Sequence, residues 1–298
     1  MAVPQIIRSL VFVGGHDRGK IRQLAESGPD AVCIDLEDST PLAEKDKARS
    51  QFHEVASEIA GIGPLVFVRT NLGGKALEDD LKAVMCPELH CISSPKVESG
   101  DSVRQFEKLV LKAEQVSGLA EGGLLIRPVI ETAQGVRNAY EIASASARVA
   151  YLGGVEGGIF GDLGGSLGYQ QTETGLETLY LRSKILIDVR AAEVPFPIGG
   201  GMTLRQDAQG AREFAKENRI LGYNGMHCWG RAEVIAAVNE EFTPLQKEIE
   251  EWGAVLPLLE EAERAGLSVA HINDKVYDLI GLVRIREQLT LASRLGIY

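Results

Sequence analysis

Polar residues gather at the ends of apolar runs along this chain, and their types suit oxygen chemistry around a hard cation. VCIDL runs into the acidic cluster Asp35, Glu37 and Asp38, and LVFVR ends in Arg69 with Asn71 close behind. CISSPK supplies Lys96, LLIRPVI is followed by Glu131, and a glycine-rich stretch at 153–168 contains Glu156 and Asp162. A further run ends near His227, Cys228 and Trp229. Carboxylates with cations nearby, and few His or Cys, match Mg²⁺, which takes oxygen ligands and needs only one or two protein carboxylates. Its open positions accept a bidentate hydroxy or keto acid, for which the ion serves as Lewis acid and template.

Each of these residues also has a structural reading. A carboxylate closing an apolar strand, as Glu131 does, needs a partner, either a metal or an arginine. Asp162 is a ligand or a loop and helix-cap aspartate. Arg69 is a site cation or half of an ion pair. The Asp35, Glu37 and Asp38 cluster also suits a helix N-terminus. His227, on an apolar strand, is read as a packed histidine rather than a ligand.

The elements that position these residues alternate between strand and helix. Strand runs are expected at 10–13, 31–36, 65–69, 91–94, 124–130, 149–152, 196–198 and 223–229. The runs VCIDL, LVFVR and LLIRPVI are near-continuous rather than alternating, as strands covered on both faces are. Helical patterns occupy 41–59, 77–84, 102–117, 136–144, 174–192 and 207–218. The expected fold class is α/β: a (β/α)₈ TIM barrel over 1–240 with a C-terminal helical extension over 241–298. A doubly wound open sheet is the alternative, but no GxGxxG follows the first strand. In a barrel the C-terminal strand ends carry the chemistry, and the residues named above stand there.

Composition sets outer bounds. Hydrophobic residues make up 45% and charged residues 24%, ordinary for a globular chain. A net charge of −11, from 31 basic and 42 acidic residues, argues against nucleic acid or an anionic membrane as partner. No run approaches the roughly 18 apolar residues of a membrane span. The N-terminal patch carries an early proline and Arg8, so it is not read as a signal peptide, and a cytoplasmic location is expected. Cys33, Cys86, Cys91 and Cys228 fit no zinc spacing and are read as packed thiols.

An ordered series of segments resembles the HpcH/HpaI aldolase and citrate lyase β-subunit-like family, which includes malyl-CoA and citramalyl-CoA lyases. These are RSLVFVGG at 8–15, DLEDST at 35–40 with Lys45 and the Ala48-Arg49 pair, VRTN at 68–71 and SPKVES at 94–99. They continue with IETAQGVRNAYEIA at 130–143, GDLGGSLG at 161–168, LGYNG at 221–225 and VNEEFTP at 238–244. The chain departs where relatives read Ile-His-Pro, having Trp229, Gly230 and Arg231 there.

The resemblance implies a Mg²⁺-dependent carbon–carbon lyase, with Mn²⁺ as the alternative ion. Glu131 and Asp162 are its implied metal ligands, Asp162 being preferred over Glu156 because Leu167-Gly168 follow at the family spacing. Arg69 is implied to bind the substrate oxygen, with Asp38 and Glu37 supporting it and Asp278 as an acid or base brought from a neighbouring subunit. Arg8, Lys96, Gly161 and Leu163 join Arg69 as implied substrate contacts. The implied partners are a small keto or hydroxy acid, a coenzyme A thioester and further copies of the chain, as a trimer or hexamer. Two alternatives differ in function: a class II pyruvate aldolase that works without coenzyme A, and a non-catalytic binding or regulatory barrel. A phosphate-binding barrel of other chemistry, using GGGMT at 199–203, is a third.

Overall fold

The near-continuous apolar runs become parallel strands because each buries both faces. The structure, a computed structural model, describes residues 3–154, 162–201, 205–272 and 275–298, the side chain of Asp162 excepted. The strands are β1 (Ser9–Gly14), β2 (Ala31–Asp35), β3 (Leu65–Arg69), β4 (Leu89–Ser94), β5 (Leu125–Pro128), β6 (Ile198–Gly199) and β7 (Gly225–Cys228). They pair in the order β5-β4-β3-β2-β1-β7-β6, every neighbour parallel.

Around them run α1 (Arg18–Glu26), α2 (Lys45–Ile62), α3 (Gly74–Val84), α4 (Gly100–Val116), α5 (Ala133–Arg137) and α6 (Ala139–Ala143). They continue with α7 (Asp162–Leu167), α8 (Leu176–Ala191), α9 (Ala208–Leu221) and α10 (Ala232–Phe242). Several start on side-chain caps that satisfy a free N–H. Asp17 accepts from Lys20 N, Ser99 from Ser102 N, Thr132 from Gly135 N, and Asp207 from Gly210 N.

Strand alternation separates two cores. Val11, Val32, Val66 and Ile126 face outward and pack with helix residues such as Ile21, Phe52 and Phe214. Leu10, Cys33, Phe67, Cys91 and Leu125 face inward and pack with Tyr151 and Ile198. All four cysteines are free and buried. The result is an α/β fold whose parallel sheet curls into a TIM-barrel-like half-barrel.

The expected strand at 149–152 does not form as a strand. Only Val149 bridges Ile126, and Tyr151 N–H donates to the Pro195 carbonyl at 3.3 Å. Tyr151 lies at φ +60°, and Glu193 and Phe196 at +57° and +53°, so the chain leaves the extended region on both sides of this seam. The expected strand at 196–198 shortens to the two residues of β6 for the same reason. Gly154, at φ +61°, sits so close to Gly200 N that a Cβ would lie 2.0 Å from it.

The chain divides into two units, 1–242 and 243–298. The second contains α11 (Gln246–Arg264), an antiparallel hairpin of β8 (Val269–Ile272) and β9 (Lys275–Asp278), and α12 (Leu282–Arg294). It has its own apolar cluster, including Ile249, Leu259, Ile285 and Leu289. Among the described residues, no helix is long and apolar enough to cross a membrane.

One ion pair fixes the turn between α4 and β5. Glu114, fully buried, accepts from Arg148 Nη2 at 2.5 Å and from the N–H groups of Gly122 and Leu124 at 2.9 Å. Arg148 Nε returns a bond to the Leu124 carbonyl at 2.7 Å. Removing one partner strands the other charge, so Glu114→Gln is expected to lower unfolding free energy by about 3 kcal/mol. Urea denaturation measures this, and a loss below about 0.5 kcal/mol would show that water substitutes for the carboxylate.

Candidate active site

The strand register builds the site. Asp35 on β2, Arg69 on β3, Ser93 on β4 and Arg127 on β5 are successive partners across the sheet. Each stands two residues after an inward core position (Cys33, Phe67, Cys91 and Leu125), so all four point into the barrel. They form a polar row just below the C-terminal strand ends.

Arg69 is the centre of this arrangement. Its Nε and Nη2 donate to Asp35 Oδ1 and Oδ2 at 2.9 and 2.6 Å, a bidentate pair that fixes the guanidinium plane. Nη1 lies 3.2 Å from Glu37 Oε2 and 3.4 Å from Glu131 Oε1, and Nη2 lies 3.9 Å from Asp38 Oδ2. The guanidinium also stands over the Phe12 ring, 5.3 Å from its centroid.

Lys96 closes the other side. Its Nζ lies 2.9 Å from Glu37 Oε1 and 3.7 Å from Asp38 Oδ2, and its N–H donates to Glu131 Oε2 at 3.1 Å. Lys96 adopts φ +50°, an uncommon conformation for a residue with a side chain. The sequence-derived set Glu37, Asp38, Arg69, Lys96 and Glu131 therefore meets in one place.

The electrostatics follow from burial and pairing. Burial opposes the Arg69 charge, but Asp35, Glu131 and Glu37 outweigh it and hold the guanidinium firmly protonated. Burial also works against the Asp35 carboxylate; its bonds to Arg69, Ser39 and Glu37 N–H prevail and keep its pKa below the usual range. Burial pushes the Glu37 carboxyl up, against the pull of Arg69 and Lys96. Four carboxylates (Asp35, Glu37, Asp38, Glu131) face two cations (Arg69, Lys96), an excess of two negative charges. Counting Arg127, in the same row, leaves the balance negative.

That excess and its all-oxygen donors fit a hard divalent cation. Among the described residues no group of three His, Cys, Asp or Glu is placed to hold a metal ion. Mg²⁺ does not require three, since waters and substrate complete its shell. Asp162 opens α7, but its side chain, Gly161 and Glu156 lie outside the described residues.

Other expected site residues lie elsewhere. Arg8 precedes β1 and is paired bidentately with Asp30, which precedes β2, at 3.0 and 2.8 Å. It therefore sits at the N-terminal strand ends, about 20 Å of strand from the mouth. It is not among the groups that meet at the mouth, and its pairing with Asp30 gives it a structural role at that rim. The Leu163 side chain is fully buried in the cluster with Ile130, Val136 and Leu181, which leaves its main chain as the part able to meet a substrate. Asp278 belongs to the second unit, where its carboxylate accepts from Ile280 N–H at 2.9 Å.

One residue escaped the sequence reading and another was only partly read. Arg127, 1% exposed, lies with Nη2 2.9 Å from His227 Nε2. Because guanidinium only donates, that nitrogen accepts and the ring proton sits on Nδ1. His227 is indeed packed, its ring 4.6 Å from that of Phe12. A charge at an inward position of LLIRPVI was the available signal. Asp35 was noticed only as part of an acidic cluster, although its strand position marks it as the inward residue.

The family model for HpcH/HpaI aldolase/citrate lyase matches residues 8–230. A citrate lyase subunit beta-like protein of Deinococcus radiodurans is 32% identical over 295 residues, covering 97% of this chain and 98% of that protein. The citrate lyase subunit beta of Leuconostoc mesenteroides subsp. cremoris is 30% identical over 291 residues, covering 96% and 93%. Protein CitE of Mycobacterium tuberculosis, in complex with magnesium, acetoacetate and coenzyme A, shares the fold at a TM-score of 0.69 and 22% identity, over 97% of this chain and 98% of that one. The shape of the barrel and the ionic cluster at its mouth thus define an aldolase-type lyase. The chain belongs to the HpcH/HpaI aldolase/citrate lyase family.

Asp35 supplies a stability test. A carboxyl whose pKa is depressed by folding stabilises the protein above its unfolded value, here 3.8, and loses that contribution as pH falls through the folded value. In Asp35→Asn this component is absent, so stability should depend less on pH below 3.8 than in wild type. The variant should also be about 3 kcal/mol less stable at neutral pH, because Arg69 keeps a buried charge without its bidentate partner. Urea melts across pH measure both, and identical acid limbs would sink the assignment.

Proposed function

We propose that this protein is a Mg²⁺-dependent carbon–carbon lyase that cleaves a β-hydroxy acid, or its acyl-CoA thioester, to a keto acid or aldehyde acid and an enolate-derived product. The observation that carries this reading is the buried Arg69 held among carboxylates that outnumber the cations at the mouth. Family membership supports the reaction type, and CitE in complex with magnesium, acetoacetate and coenzyme A supports the ion and the thioester.

In this reading Glu131 and Asp162 hold the ion. When bound, the metal supplies Lewis-acid polarisation of a substrate oxygen and a template for a bidentate acid. Arg69 contributes a fixed positive charge where oxyanion character develops, and it cannot act as the base because it does not lose its proton. Asp35 keeps that charge aimed by gripping two of its three nitrogens. Lys96, beside Glu37 and Asp38, provides a second cation for a substrate carboxylate.

Cleavage requires that the β-hydroxyl give up a proton while the carbon–carbon pair moves to the α-carbon, which then takes a proton. Glu37 is a suitable proton holder, since burial raises its basicity. Asp278 from a neighbouring copy is a second group able to move that proton, and it belongs with the trimeric or hexameric assembly we propose. A cytoplasmic site of action accompanies this reading.

Calorimetric titration of Mg²⁺ into wild type, Glu131→Ala and Asp162→Ala, with and without pyruvate, oxaloacetate or glyoxylate, tests the site. Binding is expected in wild type, tightened by a keto acid, and lost in both variants. No binding to wild type with any keto acid would remove the basis of the proposal and favour a non-catalytic barrel. Solvent exchange of pyruvate methyl protons without coenzyme A would instead favour the class II pyruvate aldolase.

A further inference from the structure

The acidic loop that carries Glu37 and Asp38 is gripped from two sides. From inside, Asp35 accepts from Glu37 N–H and Ser39 N–H at 2.9 Å, while Thr40 Oγ1 donates to the Asp35 carbonyl. From outside, Asn71 Nδ2 donates to the Leu36 carbonyl at 2.9 Å. Asn71 is in turn held by Asp80 of α3. Asp80 Oδ2 accepts from Asn71 N–H at 2.6 Å and from Asn71 Nδ2 at 2.8 Å. Asp80 Oδ1 accepts from Arg49 Nε at 2.8 Å, and Lys45 Nζ donates to Asn71 Oδ1.

Asp80 is fully buried, although its neighbour Asp79 on the same helix pairs at the surface with Lys75. Burying a carboxylate this completely is costly unless it is fully hydrogen-bonded, as it is here. Two of its three bonds go to Asn71 and through it to the frame of the Glu37 loop, and the third ties it to Arg49 of α2. Asn71 has both amide hydrogens and its oxygen committed, so its orientation is set by Asp80 and Lys45 together.

We infer that Asp80, acting through Asn71, is a positioning residue for the Glu37 and Asp38 carboxylates and hence for the charge around Arg69 and Lys96. The inference rests on the lyase reading for its kinetic consequence and on the hydrogen-bond chain for its structural one. Asp80 touches neither Arg69 nor Glu131, so it supplies no group to a metal held by Glu131.

Asp80→Asn keeps the size of the side chain but turns one acceptor into a donor facing Asn71 or Arg49. In the full-length protein, kcat is expected to fall on the order of 10²-fold, the scale of a roughly 1 Å misplacement. Mg²⁺ affinity in the presence of a keto acid is expected to stay at the wild-type value. A folded variant with wild-type kcat, or one whose kcat and Mg²⁺ affinity fall together, would overturn the inference. If Asp80→Asn does not fold, Asn71→Ser keeps the main-chain bond to Asp80 and removes the amide's ties to Leu36, Asp80 and Lys45; an unchanged kcat there refutes the idea equally. Should wild type turn over no substrate in a panel of hydroxy acids and thioesters, the lyase reading fails on its own. Amide exchange at residues 37–39 then decides the positioning role: faster exchange in either variant supports it, and wild-type rates reject it.

Discussion

A guanidinium with almost no access to water has to be neutralised where it stands, and in this protein that requirement shapes the mouth of the barrel. Arg69 is 8% exposed and in contact with carboxylates from two strand ends, those of β2 and β5. Asp35 is the partner that sets direction, because two parallel hydrogen bonds fix a plane where a single one would leave a pivot. Glu37, Asp38 and Glu131 are then placed by loops that leave β2 and β5 at the level of that plane. The surplus of negative charge is a consequence: more acids surround the arginine than it can neutralise, and a hard cation is the natural complement.

Support for the cluster comes in layers. In the same register row as Asp35 and Arg69 lie Ser93 and Arg127, with the aromatic pair Phe12 and His227 filling the interior beside them. Arg69 and Arg127 both stand near the Phe12 ring, at 5.3 and 5.9 Å from its centroid. A flat apolar surface with a negative face suits two cations that cannot approach one another closely. Outside the barrel, Asp80 and Asn71 hold the same loops from behind. The loop residues of the site are thus tied to strands and helices rather than left free, as precise placement demands.

Much of this was legible from residue types and spacing. The runs at β1 to β5 read as buried parallel strands because they are apolar at every step, and their terminal polar residues read as site residues because barrels place chemistry there. Arg8 stands next to an apolar run like the others, but before it, and the direction of the strand sends it to the far rim. Leu163 lies within a functional-looking motif yet serves the core. The strand at 149–152 was overcalled because composition does not reveal that Tyr151 takes a left-handed conformation. Helix α1, largely polar in sequence, went unnoticed, its signal resting on the Asp17 cap. Asp80 was passed over, although in GKALEDDLKAV it stands three residues after Leu77 and four before Val84, on the apolar face that Asp79 does not share.

The seam at residues 149–152 and 193–199 has a further meaning. Elsewhere the sheet is held by continuous ladders, whereas here one bridge and single hydrogen bonds join the edges. Cooperative opening begins where the fewest bonds must break together, so among the described residues this seam should exchange its amides before the β1 to β5 arc does. Arg69 and its partners Asp35, Glu37 and Glu131 stand away from that seam, on the arc of continuous ladders, so their placement does not depend on the least cooperative part of the wall.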